Sequence, residues 1–509
     1  MLSVSKRTWL MVLLSQGIAG WFAAFSVAAD SPNILVILAD DMGFGDVQAL
    51  NPDSKIPTPN LNALSKSGMT FSDAHSPSAV CTPTRYGLLT GRYCWRTTLK
   101  SGVLGGYSKP LLETGRRTIG DLAKAHGYHT GAIGKWHLGM SMPYLGDDEK
   151  GLSQWEGDPG IDFGGVISNS PIHHGFDYYF GVSASLDMAP YVFVRNDRFT
   201  ALPKQQQPAV KFPHFVRKGP RADDFVIADV LDRLTEEAIA FIDDAAERDA
   251  PFLLYVPLTG PHKPTQPHER FRGKTSLGEY GDFVHQVDST VGRILAALDA
   301  NQVAENTVVI YTSDNGSYMF RYDDPQRTDH VDDDTIQGFR SDRHRANGPF
   351  RGTKADIYEA GHHVPFFVRW PKKLEPGRVC DSTICLTDVY ASLAELFGAD
   401  LAANEAEDSC SFLPMLDDPS HVRPAAVVHH SVNGSFAIRD GQWKLILTSG
   451  SGGREQPAGK PFDGQVQLYD MASDSGESTN LAEDHPEVVE RLTKQLEDFR
   501  QSGRSVRRK

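Results

Sequence analysis

Short hydrophobic runs of strand length alternate with helix-like stretches along most of the chain. The helix candidates are Thr118 to Ala125 and the amphipathic stretch Phe283 to Leu298. Buried-strand candidates are Asn33 to Leu38, Thr130 to Ile133, Phe252 to Val256 and Thr307 to Thr312. This alternation predicts an α/β fold with a large mixed, mostly parallel sheet flanked by helices.

The pattern changes from about Ala425, where strand candidates follow one another closely. They are Ala425 to His429, Ser435 to Ile438, Trp443 to Leu447 and Val466 to Tyr469, with a charged helix from Pro486 to Arg500 after them. We therefore predict a large domain over residues 30–420 and a small C-terminal subdomain, an antiparallel sheet with one helix, over residues 421–509. The basic tail from Arg504 is expected to fray.

The N-terminus has the pattern of a signal peptide. Lys6 and Arg7 precede an apolar stretch, and Val27-Ala28-Ala29 is a small-residue cleavage site, so residues 1–29 predict export to the periplasm or outside the cell. A membrane anchor is the alternative, although Ser15-Gln16-Gly17 interrupts the apolar run. No second segment is long and apolar enough to cross a bilayer, so no stable membrane insertion is expected.

Composition narrows the class of protein and its partners. With 40% hydrophobic and 23% charged residues, the 509-residue chain is typical of a soluble globular protein. Its net charge of −14 argues against nucleic acid as a partner. Export would allow Cys94, Cys380, Cys385 and Cys410 to form disulfides, but free buried thiols are an equal alternative that spacing does not decide.

Acidic and amide side chains follow two of the predicted strands. Asp40 and Asp41 come after the first strand, and Asp314 and Asn315 come after the strand Thr307 to Thr312. An open α/β sheet places its ligand crevice at these strand ends. Each pair alone is equally typical of a turn or cap, but together they form an all-oxygen ligand set that suits Ca²⁺ or, less well, Mg²⁺.

A reactive side chain precedes a predicted helix at Cys81-Thr82-Pro83-Thr84-Arg85, which continues to Leu89-Thr90-Gly91-Arg92. Pro83 suits a first helical turn, and Thr82 is an acceptable cap. Residue 81 would then face unpaired N–H groups and the positive end of the helix dipole, which stabilise negative charge. Arg85 lies one turn on and is expected to reach back.

Three further motifs supply cations and histidines. Lys135 is suited to bind anionic oxygens, and His137 to transfer protons near neutral pH. A surface lysine and a core histidine are the alternatives for this pair. The motifs are Gly134-Lys135-Trp136-His137-Leu138-Gly139, Pro261-His262-Lys263-Pro264 and Phe350-Arg351-Gly352-Thr353-Lys354.

Together these motifs resemble the type I, formylglycine-dependent sulfatases, an arylsulfatase-like family of the alkaline phosphatase superfamily. The likeness covers nearly the whole mature chain and includes Leu468-Tyr469-Asp470. One departure is His363, which stands where many relatives carry an arginine before Val364-Pro365. We expect His363 to serve the same structural purpose.

The resemblance implies roles for individual residues. Cys81 would be oxidised to Cα-formylglycine by a formylglycine-generating or equivalent maturation enzyme. The implied metal ligands are Asp40, Asp41, Asp314, Asn315 and residue 81. The implied catalytic residues are Cys81, Arg85, Lys135, His137, His262 and Lys354, of which Lys135, His262 and Lys354 bind the sulfate.

The implied activity is hydrolysis of a sulfate monoester, with a sulfated carbohydrate as the expected substrate. Hydrated formylglycine attacks sulfur with Asp314 as proton acceptor, His262 or Lys354 protonates the departing alcohol, and His137 takes the second proton. Specificity is expected in loops 151–170, 192–221 and 321–348. The alternatives are a phosphonate or phosphate monoesterase, in which a histidine commonly replaces Asn315, and a non-catalytic sulfated-glycan binder with unmodified Cys81.

Overall fold

The computed structural model describes residues 31–146, 154–211, 214–319 and 344–507. The predicted signal peptide therefore lies outside the described residues, as does most of the loop over residues 321–348. In the described part of the chain, no helix is both long and apolar enough to cross a membrane.

One large mixed sheet forms the centre of the fold, with ten strands in the part of the chain that is described. In spatial order they are β13 (Arg378–Cys380), β2 (Met69–Phe71), β12 (Phe366–Arg369), β11 (Thr307–Ser313), β1 (Asn33–Asp40), β10 (Phe252–Pro261), β4 (His129–Lys135), β5 (Tyr178–Val182), β6 (Val194–Arg195) and β7 (Arg198–Phe199).

The middle of this sheet is parallel. β1 pairs with β10 on one side and β11 on the other, β10 pairs with β4, and β4 pairs with β5. β10 and β11 are buried along their whole length, as expected of parallel strands that are covered on both faces. The carboxyl ends of β1, β4, β10 and β11 therefore lie along one edge.

Helices flank the sheet. Two of them, over Val230–Ala246 and Gly278–Ala300, pack together against β10. The helices are α1 (Pro59–Ser67), α2 (Cys81–Thr90), α3 (Ile119–Ala125), α4 (Val230–Ala246), α5 (Gly278–Ala300), α6 (Glu359–His362), α7 (Asp388–Leu396) and α8 (Leu413–Asp417). The predicted α/β class is confirmed.

A smaller antiparallel sheet follows towards the C-terminus, as predicted. Its strands are β15 (Val427–His430), β16 (Phe436–Asp440), β17 (Trp443–Ile446) and β18 (Gln467–Asp470), in that order, and α9 (Pro486–Ser502) packs against β16 and β17. Two short pairs, β3 (Ala74–His75) with β14 (Ile384–Cys385) and β8 (Gln205–Gln207) with β9 (Gly219–Arg221), complete the strands.

The chain after α9 does not fray as expected. Ser505 is buried, and its backbone N–H donates to Asp408 Oδ1 at 2.9 Å. The same carboxylate accepts two hydrogen bonds from Arg96. The fraying prediction is therefore wrong for the described tail, because a buried carboxylate far away in sequence holds it.

All five cysteines are buried, and none of them forms a disulfide in this structure. Of the two alternatives for Cys94, Cys380, Cys385 and Cys410, the structure therefore shows thiols without disulfides.

Candidate active site

The edge formed by the parallel strands brings the predicted polar residues together. Asp40 ends β1, Lys135 ends β4, His262 follows β10 and Asp314 follows β11. All four side chains are buried. The expectation that strand ends would assemble the site is met, because neighbouring parallel strands end at the same edge.

Cys81 is the first residue of α2, with extended Val80 as the residue before the helix. The prediction that Thr82 caps this helix is wrong, since the Thr82 hydroxyl accepts the Leu104 N–H at 3.2 Å instead. Burial raises the pKa of the Cys81 thiol, against the charges of Lys135 and Lys354. A buried neutral thiol is a poor nucleophile, so unmodified Cys81 is poorly suited to attack.

Each of three buried carboxylates contacts a different cation. Lys135 Nζ donates to both Asp40 oxygens at 2.9 and 2.8 Å, and Lys354 Nζ donates to Asp41 Oδ1 at 2.5 Å. Asp314 Oδ2 accepts from Arg85 Nε at 3.0 Å and from Arg85 Nη2 at 2.7 Å. These ion pairs balance three negative charges with three positive ones.

Arg85 differs from the expectation that it reaches back to residue 81. Besides its two bonds to Asp314, its Nη1 donates to the Lys135 carbonyl oxygen at 2.9 Å. Arg85 thus ties the end of β4 to the turn after β11. The structure supports a positioning role for this guanidinium in the arrangement of Lys135 and Asp314.

Two buried oxygens in this centre have no hydrogen-bond donor among the described residues: Asp41 Oδ2 and Asn315 Oδ1. Asn315 Nδ2 donates to Asp41 Oδ1 at 2.7 Å, which fixes the amide and the carboxylate against each other. Asp40, Asp41 and His262 also offer ligand atoms within 4.8 Å of one another. Unpaired carboxylate and amide oxygens suit a hard divalent cation, so these residues fit the predicted metal.

Electrostatics in the centre favour an added positive charge. Burial raises the pKa of Asp40 to about 7, although Lys135 acts in the opposite direction. At Asp314 burial also acts to raise the pKa, but Arg85, Lys135 and Lys354 together outweigh it and the pKa is lowered. A further cation in the centre would therefore stabilise the ionised form of Asp40.

Hydrogen bonds to carbonyl oxygens fix the tautomer of both site histidines, because a carbonyl only accepts. His137 Nε2 donates to the Leu104 carbonyl at 2.7 Å, which leaves the lone pair on buried Nδ1 without a partner among the described residues. His262 Nδ1 donates to the Lys263 carbonyl at 2.5 Å, and its Nε2 lies 3.7 Å from Asp41 Oδ2.

The protonation states of these groups follow from their surroundings. Burial, together with the charge of Lys135, holds the pKa of His137 well below its usual value, and burial with Lys354 does the same to the pKa of His262. Burial alone would lower the pKa of Lys354, but Asp41 together with the other acidic groups around it outweighs burial and raises that pKa. The site therefore presents two neutral imidazoles beside a protonated lysine.

One positioning residue was missed in the sequence. Ser313 Oγ accepts the Met42 N–H at 2.9 Å and donates to the Asn315 carbonyl at 3.0 Å, so it fastens the turn after β1 to the turn after β11. Its only signal is a hydroxyl at the end of a hydrophobic strand.

His363 lies apart from the acidic centre. Its Nε2 donates to the Ser72 carbonyl at 2.8 Å, and its Nδ1 lies 3.1 Å from Glu359 Oε1. His363 directly follows α6 and Ser72 directly follows β2, so these contacts hold the two elements together. This is in keeping with a structural purpose.

Comparisons with known proteins agree on one family. The family model for Sulfatase matches residues 32–399. The N-acetylgalactosamine-6-O-sulfatase of Bacteroides thetaiotaomicron is 34% identical over 93% of this chain and 94% of its own, and human arylsulfatase A is 29% identical over 93% and 89%.

A solved structure from work on the metabolism of multiple glycosaminoglycans by Bacteroides thetaiotaomicron has the same fold. It superposes with a TM-score of 0.78 and 32% identity, covering 93% of this chain and 100% of that one. With the matched family model and the two curated relatives, this places the chain in the sulfatase family of the alkaline phosphatase superfamily, and the protein is a sulfatase.

Proposed function

We propose that this sulfatase removes sulfate from sulfated carbohydrates after export to the periplasm or the cell exterior. The N-acetylgalactosamine-6-O-sulfatase relative, which is alike over almost its full length, supports a sulfated sugar as the substrate. The predicted signal peptide supports export.

Cys81 is converted to formylglycine in this proposal, and Asp40, Asp41, Asp314 and Asn315 hold a divalent cation, with Ca²⁺ preferred over Mg²⁺. The hydrated aldehyde supplies two hydroxyls on one carbon, and the cation neutralises charge on the sulfate. Calcium is preferred because several protein oxygen ligands suit its variable coordination, whereas magnesium usually retains several waters.

The observation that carries the proposal is the set of three cation–carboxylate pairs and two unpaired oxygens next to residue 81. In this proposal Lys135 and Lys354 bind sulfate oxygens, and their fixed charges stabilise the transition state without reorganisation. Lys354 is protonated and can donate a proton to the departing alcohol. His262 is the other candidate for this step, and its neutral form holds a lone pair on Nε2.

His137 serves the second half of the reaction. Its Nε2–H is committed to the Leu104 carbonyl, so Nδ1 is the atom that accepts a proton. Its low pKa keeps it in the neutral, proton-accepting form at physiological pH.

Two measurements test this function. Mass spectrometry of the peptide that spans residue 81 should show the aldehyde, with the Cys94 peptide unmodified as the internal control. Assays on a panel of sulfated oligosaccharides should show sulfate release, and matched phosphate and phosphonate esters should be poor substrates. An unmodified Cys81 with no sulfate release would favour the glycan binder, and faster phosphonate cleavage would favour the monoesterase.

A further inference from the structure

Next to the acidic centre lies a lysine that the mechanism does not use. Lys263 directly follows His262, and its ammonium lies 5.0 Å from the centroid of the Phe215 ring. Among the described residues, no carboxylate lies within 4.0 Å of Lys263 Nζ, and the side chain is only partly exposed. A partly exposed ammonium with no carboxylate beside it in the described part of the chain is available to pair with an anionic ligand.

A second unsatisfied group is a carboxylate whose arginine partner faces the same phenylalanine ring. Asp187 is buried, and its Oδ2 accepts a hydrogen bond from Arg217 Nη1, while its Oδ1 has no donor in the described part of the chain. The Arg217 guanidinium lies 5.0 Å from the same Phe215 ring that faces Lys263. The Phe215 ring therefore lies close to both the Lys263 ammonium and the Arg217 guanidinium that binds Asp187.

This group of residues adjoins the reaction centre. Asp187 belongs to the loop after β5, and the first residue of that loop, Ser183, accepts the His137 N–H at 3.0 Å through its carbonyl. Burial lowers the pKa of Lys263 to about 8, helped by the charge of Arg454 and opposed by Asp187. Arg454 and Asp187 are thus the charged groups that act most strongly on Lys263, and they act in opposite directions.

A substrate with two features would satisfy both groups. An anionic group would pair with Lys263, and a hydroxyl would donate to Asp187 Oδ1; leaving either protein group unpaired costs free energy. A small aryl sulfate offers neither feature. A sulfated sugar residue with a further acidic group offers both.

We propose that Lys263 binds a second acidic group of the substrate, a carboxylate or a further sulfate, while Asp187 accepts a hydrogen bond from a sugar hydroxyl. This inference rests on the proposed function and concerns which sulfated sugar is chosen. Arg217 positions the Asp187 carboxylate. None of the three residues takes part in breaking the sulfate ester.

The test compares Lys263→Gln with the parent and with Lys66→Gln, a control at an exposed lysine of α1. Four substrates are used: an aryl sulfate, a monosulfated monosaccharide, the same sugar linked to a uronic acid, and the same sugar with a second sulfate. We expect Lys263→Gln to raise KM about tenfold for the substrate or substrates whose second acid it binds, with kcat unchanged. The other substrates should stay within about twofold, and Lys263→Arg should recover most of the loss.

The two acidic substrates distinguish a carboxylate from a sulfate as the bound group. Equal losses on all four substrates would place Lys263 in the reaction centre and overturn the proposal, as would no change on any of them. A parent enzyme that releases no sulfate at all would instead overturn the proposed function, and the subsite would fall with it.

Asp187→Asn tests the proposed hydroxyl contact independently of Lys263. It should lower kcat/KM about tenfold on the sugar substrates and leave the aryl sulfate within about twofold. Thermal unfolding of this variant is compared with the parent, because Arg217 loses its charge partner. If the variant unfolds, Lys263→Gln alone decides; if it folds and uses every substrate like the parent, the hydroxyl contact is refuted.

Discussion

Residue 81 lies at the first turn of a buried helix, close to two lysines. Unpaired N–H groups at such a position stabilise an oxygen that carries negative charge, whereas burial keeps the thiol of Cys81 neutral. The surroundings are thus better matched to an oxygen nucleophile than to a cysteine thiol, which is the physical reason to expect modification.

Cys81→Ser tests the need for two hydroxyls on one carbon. Serine has one hydroxyl, so it can attack sulfur and release the alcohol, but it lacks a second hydroxyl from which His137 Nδ1 could take a proton. We expect at most one turnover and, with a reactive aryl sulfate, a sulfate ester on the introduced serine that intact-mass measurement detects. Repeated turnover near the parent rate would show that the proposed nucleophile is wrong.

Metal retention tests the oxygen ligand set. The purified enzyme should hold one Ca²⁺, and Asp314→Asn should lower metal content and activity together, because Asp314 contributes a negative charge to the site. Asp299→Asn, at an exposed carboxylate of α5, is the control. Elemental analysis measures the metal content of each variant, and sulfate release measures its activity. A stoichiometric pair of zinc ions would contradict the ligand assignment and favour a phosphatase-like centre.

Sequence motifs predicted which residues form the candidate site, but they did not predict the contacts between those residues. Lys135, His137 and Lys354 were found because each sits in a specific short pattern. The pairing of Arg85 with Asp314 was not, since it joins residues 229 positions apart. The tautomer of His137, which leaves the lone pair on Nδ1, is likewise set by the hydrogen bond from Nε2 to the Leu104 carbonyl. No local sequence pattern reveals that contact.

At the level of elements, hydrophobic runs located the strands, and the strand ends located the site. This worked because buried parallel strands are apolar throughout, and their register is independent of loop detail. The expected Thr82 cap and the frayed tail were wrong because both depend on distant groups, the Leu104 N–H and the Asp408 carboxylate.

Gly316→Ala should disrupt the turn after β11. A Cβ at Gly316 would lie 1.8 Å from the Ala360 carbonyl oxygen, and backbone cannot move aside as a side chain can. We expect a loss of about 1–3 kcal/mol in the free energy of unfolding and weaker metal retention, because Asn315 is displaced with its neighbour. Gly146→Ala, where a Cβ meets no heavy atom of the described residues within 4 Å, is the control.

Denaturant unfolding and calcium titration measure the two effects. A Gly316→Ala variant with parental stability and parental calcium affinity would show that the turn can relax without cost, and that the close approach to α6 does not position Asn315.

Across the whole molecule, buried histidines join the C-terminal sheet to the rest of the chain. The rings of His362, in α6, and His429, in β15, stack with centroids 3.7 Å apart, and His75 Nδ1 lies 3.0 Å from His362 Nδ1. Lys444 of β17 adds ion pairs to Glu359 at 3.0 Å and to Glu477 at 2.7 Å. The sequence predicted both sheets, but no motif indicated this charged junction.

This junction should make the protein sensitive to acid. Burial holds the pKa of His75 below its usual value, and burial holds those of His362 and His429 well below it. Below about pH 6.5 the unfolded chain binds more protons at these sites than the folded protein does, so the free energy of unfolding falls as pH falls. The nearby charges of Lys444 and Glu359 act on His429 in opposite directions.

His429→Phe should reduce this acid sensitivity. The ring can still stack on His362, and His429 Nε2 has no partner to lose in the described part of the chain, although the weak Nδ1 contact to the Ser76 carbonyl at 3.4 Å is removed. Removing one site of differential protonation should make the fall in stability shallower by up to about 1.4 kcal/mol per pH unit between about pH 6 and pH 5. Urea unfolding at several pH values measures the slope, with exposed His421→Phe as the control. Parallel stability curves for His429→Phe and the parent would show that proton uptake at this junction does not set the acid limit of the fold.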